Sequence, residues 1–137
     1  MIPSSHHGSW KGPNRLWFED PSKPERSDGS LEVSAAKVAY TWSFKDSPEK
    51  GEIELFGPAG SVRAGWTDSW HAKKCMTLHG CFAEGCLVLY GTYGEEQEWG
   101  WRIELDTRDP EHFVMRMFNL MPDGDIAPAV DLRGARA

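Results

Sequence analysis

Lys37-Val-Ala-Tyr-Thr-Trp-Ser-Phe-Lys-Asp46 decides the fold. Tyr40, Trp42 and Phe44 stand two apart, with Ala39, Thr41 and Ser43 between them. A period of two is that of a β-strand with one aromatic and one small, polar face, and no helix lines up those three rings. Working outward, the same reading predicts strands over 52–56, 61–67, 74–82, 87–93, 99–107, 112–121 and 126–133, with weaker candidates near 15–18 and 31–35.

Turn residues separate the runs: Ser47-Pro-Glu-Lys-Gly51, Gly57-Pro-Ala-Gly60, Ala83-Glu-Gly85, Gly94-Glu-Glu-Gln97, Arg108-Asp-Pro110 and Pro122-Asp-Gly124. Each supplies a Gly, a Pro or both where the chain must reverse. Strands at this spacing, each joined to its sequence neighbour, specify an antiparallel meander. An open sheet of so many strands would leave two raw edges and an uncovered apolar face, so the expectation is all-β: an antiparallel up-and-down barrel of about eight to ten strands. The loop-rich segment 14–30 is expected to cross one mouth, and 1–13 to be mobile or loosely packed.

Composition bounds the function. The 137 residues form one domain's worth of chain, without internal repeats, and the only linker-like stretch is 21–28. A net charge of −6 and no basic run longer than Lys73-Lys74 argue against a nucleic-acid footprint or an anionic membrane surface. The longest segment free of Asp, Glu, Lys and Arg is nine residues, 75–83, too short for a membrane helix. The start, Met1-Ile-Pro-Ser-Ser-His-His-Gly8, lacks the basic and apolar regions of a secretory signal, so a cytoplasmic location is expected. Three cysteines, Cys75, Cys81 and Cys86, at spacings of six and five read as free thiols.

Several landmarks together carry a resemblance: Gly8-Ser-Trp-Lys-Gly12, Leu16-Trp-Phe18, Tyr40-Thr-Trp42, Trp66-Thr-Asp-Ser-Trp-His71, Trp99-Gly-Trp-Arg102, Met115-Arg-Met-Phe-Asn119 and Pro122-Asp-Gly124. Over nearly its whole length the chain resembles a bacterial family described only as a domain of unknown function. That family is similar in architecture to the lipocalins and fatty-acid-binding proteins, the calycin barrels. The resemblance implies a barrel and a cavity and supplies no catalytic residues. The tail, Asp131-Leu-Arg-Gly-Ala-Arg-Ala137, lacks an aromatic expected before the last arginine, which leaves the closure of the final strand open.

Four stretches carry candidate chemistry. In Asp68-Ser-Trp-His71 a carboxylate and an imidazole three apart can orient each other as an acid/base pair, or Asp68 and Ser69 can cap a turn while Trp70 covers a barrel end. Cys75, His79 and Cys81 share one strand face, but spacings of two and four residues put them about 6.6 and 13 Å apart, too far for one ion. No metal site and no cofactor is therefore expected, and these side chains read as packing in the barrel wall. In Trp99-Gly-Trp-Arg-Ile-Glu-Leu105, Trp99 and Trp101 point one way and Arg102 the other; Arg102 is either a ligand anchor or half of an ion pair. Met115, Met117 and Asn119 share a face suited to an adaptable pocket or to core filling.

With Trp42, Trp66, Trp70 and His71, these residues define the expected ligand-binding set: Trp42, Trp66, Trp70, His71, Trp99, Trp101, Arg102, Met115, Met117 and Asn119. No catalytic residue is assigned, with Asp68 and His71 the only candidates. Nucleotide-binding and serine-hydrolase signatures are missing. Three readings stand: a barrel binding a small hydrophobic molecule; an isomerase, cyclase or dehydratase using Asp68, His71 or Arg102; and a self-associating, ligand-free barrel, a homodimer being the simplest assembly.

Overall fold

The computed structural model describes residues 1–18 and 20–137. Ten antiparallel strands follow a short 3-10 turn at Ser4–His6: β1 (Gly8–Leu16), β2 (Glu25–Val33), β3 (Lys37–Phe44), β4 (Ser47–Phe56), β5 (Val62–Asp68), β6 (Ala72–Ala83), β7 (Cys86–Tyr93), β8 (Trp99–Asp106), β9 (His112–Leu120) and β10 (Ile126–Arg136). Each pairs with its sequence neighbour, and β10 returns to β1 to close the barrel. The up-and-down barrel read from the alternation is thus the fold, at the upper end of the expected strand number.

Closure runs further than the tail suggested, because Trp10 pairs with Arg136 and Leu16 with Val130. The amino-terminal segment, expected to pack loosely, is seated: Ile2, His6 and Trp10 are buried, and Gly8–Leu16 is a barrel strand. Trp10 stacks on His6 at 5.4 Å, and the Arg136 guanidinium lies 4.0 Å over the Trp10 ring while donating to the carbonyls of Ser5 and His7. The stacked cation and apolar contacts tie both termini together. The β3–β4 reversal is also tighter than the predicted five-residue turn. Lys45 and Asp46 both adopt positive φ, 48° and 66°, so Pro48 falls inside β4. Pro48 is tolerated there because β5 begins to pair only at Gly51, leaving that flank of β4 without a ladder partner.

The antiparallel topology sorts the connections to two ends. Those after β1, β3, β5, β7 and β9 lie at one end, with Trp70; the others lie with the amino terminus. The amino-terminal half is solid: Leu31, Val38, Ile53, Leu78, Leu87, Leu89, Ile103, Phe113, Met115, Met117 and Leu132 are at 0% exposure. At the Trp70 end two ladders run short. The β5–β6 register shifts between Trp66 and Asp68, and β6 stops pairing with β7 at His79, leaving 72–78 and 91–93 outside that ladder. Short ladders open a barrel wall where closed ones seal it.

Candidate functional site

Two adjoining hollows occupy the Trp70 end. The larger, about 660 Å³, is lined by Trp66, Trp70, His71, Met76, Tyr93, Trp101 and Asn119, with Lys73 and Lys74 among its border residues. The smaller, about 290 Å³, lies under Trp17 and Phe18 of the β1–β2 connection and shares Trp70, His71, Trp101 and Asn119 with the first. The loop expected over 14–30 is shorter than that, because 14–16 pair within β1 and 25–30 within β2; what is left between them does reach this end, with Phe18 5.3 Å from Phe44 and 5.5 Å from Trp70. A third hollow, about 610 Å³, runs along the outer side of β2–β5 between Glu32, Lys50, Glu52 and Lys73. It reaches Tyr40 and Asp68 past Gly51, but its other lining is charged and hydroxyl side chains of the outer face, so the aromatic end is the candidate site.

Aromatic packing builds the interior. Trp66 stacks on Trp101 at 5.1 Å and 12°. His71 sits 5.0 Å from Trp101, 6.0 Å from Trp42 and 6.4 Å from Trp66, so three indoles surround one imidazole. Trp70 closes the top against Trp42 and Phe44. Trp66 and Asp68 share the inward face of β5 through their spacing of two, and the β5–β6 turn folds Trp70 and His71 back over it.

A hydrogen-bonded chain runs behind the imidazole, whose own Nδ1 is buried without a hydrogen-bond partner. The Asp68 side chain is fully buried; one oxygen accepts the backbone N–H groups of Trp70 (2.6 Å) and His71 (2.8 Å). Its other oxygen accepts the Tyr40 hydroxyl, which accepts the Trp66 indole N–H at 2.8 Å. The His71 Nδ1 faces Asp68 Oδ1 at 3.6 Å. Burial works to raise the Asp68 carboxyl, but the adjacent His71 imidazole, the Tyr40 hydroxyl and the His71 N–H together hold it below its ordinary value. Tyr40 is pushed well above the usual phenol range, first by burial and then by the Asp68 charge. Gly51 makes room for this chain, since a Cβ there would fall 2.3 Å from the Tyr40 hydroxyl.

Across the cavity Asn119 stands opposite Trp101 on the β8–β9 ladder. Its Oδ1 accepts the Tyr93 hydroxyl at 2.6 Å, which orients the amide and leaves its NH₂ group for the cavity. The Trp101 indole N–H is buried without an acceptor, as is that of Trp42. Buried donors without partners are uncommon and mark places where an acceptor is worth more than usual.

Of the residues expected to bind a ligand, Trp66, Trp70, His71, Trp101 and Asn119 line the hollows, and Trp42 backs them. Trp99 rests at the rim against Tyr93. Met115 and Met117 point inward but are wholly buried in the solid half, where they fill the core. Arg102 faces outward: it binds Glu104 and lies 5.0 Å over Phe118, and Glu104 and Asp106 in turn bind Arg116. The inward face of β8 belongs to Trp101, Ile103 and Leu105, which leaves the even-numbered positions outside. Cys75, His79 and Cys81 are likewise on the exterior, exposed, and the packing in the barrel wall expected for them is not found. Among the described residues no group of three or more His, Cys, Asp or Glu is placed to hold a metal ion.

Sequence reading missed Tyr40, Tyr93 and Met76. Tyr40 carried a signal in its parity with Trp42; the Tyr93–Asn119 pair joins β7 to β9 and has no local signature.

The fold and site define a closed ten-stranded barrel, packed at one end and hollow and aromatic at the other. No family model matches the chain, and no curated protein matches it. Among the described residues no helix is long and apolar enough to cross a membrane.

Proposed function

We propose that this protein is a lipocalin-like carrier or sensor that binds one small, largely apolar molecule in the cavity at the Trp70 end. The observation that carries this reading is the 660 Å³ hollow walled by Trp66, Trp70, Trp101, Tyr93 and Met76. Its size and aromatic lining with a few placed polar groups are those of a small-molecule pocket. The unpaired flanks of β6 and β7 give a way in. Arg102 has no part in this reading; His71 and Asn119 are the polar groups that orient the guest. The calycin resemblance of the sequence landmarks fits the same reading. Exposed free thiols at Cys75 and Cys81 support a reducing compartment such as the cytoplasm.

Titration with anilinonaphthalene sulfonate tests the proposal. Saturable dye enhancement at one site per chain, with matching tryptophan quenching, is the expected result. It should weaken at least about tenfold in Trp101→Ala, which removes the stacked ring. Dye binding that is absent, non-saturable or unchanged in Trp101→Ala would overturn it.

A further inference from the structure

The Asp68–His71 pair is more than a binding group requires. A turn cap needs only the Asp68 oxygen that receives the backbone N–H groups of Trp70 and His71. Here the second oxygen is also engaged by a buried phenol, itself held by a buried indole, and the imidazole is turned so that Nδ1 faces the carboxylate. That leaves Nε2, which has no hydrogen-bond partner among the described residues, as the end of a ring that lines both hollows. The Asp68 carboxylate, 3.6 Å from Nδ1 and beyond hydrogen-bond distance, is close enough to stabilise the imidazolium that forms when Nε2 takes a proton. Asn119 also lines both hollows, and its amide, held by the Tyr93 hydroxyl at Oδ1, has its NH₂ group as a hydrogen-bond donor.

From this arrangement we infer that the cavity is a proton-transfer site, with His71 as the acid/base and Asn119 as the donor that receives developing negative charge. The inference rests on the binding reading above. The matching substrate class is a small, largely apolar carbonyl compound with an acidic C–H next to the carbonyl. In the step, Nε2 takes that proton, and the C–H electron pair becomes the C=C bond of an enolate. The negative charge passes to oxygen, which the Asn119 amide N–H stabilises. The imidazolium, neutralised by Asp68, then returns the proton to a carbon further along the conjugated system. The double bond has moved, His71 is neutral again, and no oxidant, reductant or co-reactant is consumed.

The test is isomerisation of β,γ-cyclohexenone, and of a bicyclic β,γ-unsaturated ketone that fills more of the cavity, to the conjugated isomers, followed by ultraviolet absorbance. Tryptophan quenching by the same ketones measures binding separately. Wild-type protein should accelerate the reaction over buffer, and His71→Gln should lose about a hundredfold or more of kcat, far more than it weakens ketone binding in the quenching assay. Asn119→Leu should lower kcat more than it raises KM. The ionisable groups bordering the cavity besides His71 are Tyr93, Lys73, Lys74, the Cys75 thiol and, at the smaller hollow, Asp20, with Asp68 behind the ring. Because Asp68→Asn risks the fold, His71→Gln is the deciding variant. Saturable binding without acceleration, or a His71→Gln rate equal to wild type, overturns the proton-transfer site and leaves the binding reading intact. Failure of both ketones to bind or react, alongside dye binding, overturns the carbonyl site alone; failure of dye binding as well removes both.

Discussion

Replacing Tyr40 with Phe removes the hydroxyl that joins the Trp66 indole to the Asp68 carboxylate in the buried chain. The ring is 2% exposed, so no solvent takes the hydroxyl's place. Two interactions end together: the hydrogen bond to the Asp68 carboxylate and the one received from Trp66, whose ring is 1% exposed. A hydrogen bond to a charged partner is worth about 1.5–3 kcal/mol, and stranding a buried donor costs about 1–3 kcal/mol. The two overlap, so the expected destabilisation at neutral pH is about 3–4 kcal/mol, measured by urea unfolding. The pH profile separates this account from a general packing defect. Asp68 titrates lower in the folded than in the unfolded chain, so its contribution is complete above about pH 4 and is lost as pH falls through its folded value. Tyr40 titrates higher when folded, so its contribution is complete below about pH 10 and is lost as pH rises toward its folded value. The gap between wild type and Tyr40→Phe should therefore be widest between these limits and narrow on both sides. A loss under about 1 kcal/mol, or a gap independent of pH, would refute the reasoning.

Arg102→Leu should leave ligand affinity within about twofold, because that guanidinium lies on the exterior over Phe118; a tenfold loss in dye titration would put it back in the site. Arg116→Met should cost about 1–2 kcal/mol by breaking half-buried pairs with Glu104 and Asp106, and the deficit should shrink in high salt. It should also shrink as pH falls below about 4, since Arg108 first, and Arg116 after it, hold Asp106 below the ordinary carboxylate range. In native protein a disulfide reagent should modify Cys75 and Cys81 quickly and Cys86 slowly, because Cys86 is half-buried and its thiol is raised by burial and by Asp106. Equal rates at all three would contradict the exposure pattern.

Much of the barrel was legible because alternation is local. Tyr40, Trp42 and Phe44 announce a strand whichever way the sheet curves, and Gly or Pro marks six of the nine reversals. The misread elements are those whose state depends on a distant partner. Gly8–Leu16 is a strand because β10 and β2 flank it, although Gly12 and Pro13 weaken its local signal. Pro48 lies in a strand because its outer neighbour has not yet begun.

At the site, Asp68, Trp70 and His71 were visible as a cluster because four consecutive residues must stay close. Parity on β8 was also right, separating Trp101 from Arg102, but alternation labels two faces without saying which is inside. Trp101 and Ile103 settle it by being buried at 5% and 0%. An outward guanidinium keeps its hydration and finds Glu104, whereas an inward one would lose solvent among indoles. The same ambiguity hid the methionines: Met115 and Met117 do face inward, yet their depth along β9 places them in the filled half.

The sequence by itself determined a meander of alternating strands, its reversals, and the short cluster from Asp68 to His71, because each follows from neighbours within a few residues. Tertiary structure alone decided which face became the lumen, where the barrel is solid, and that Tyr40, Trp66 and Asp68 form one chain behind His71. Those choices belong to register and closure between strands far apart in sequence, where shifting a strand by a single residue exchanges inside for outside.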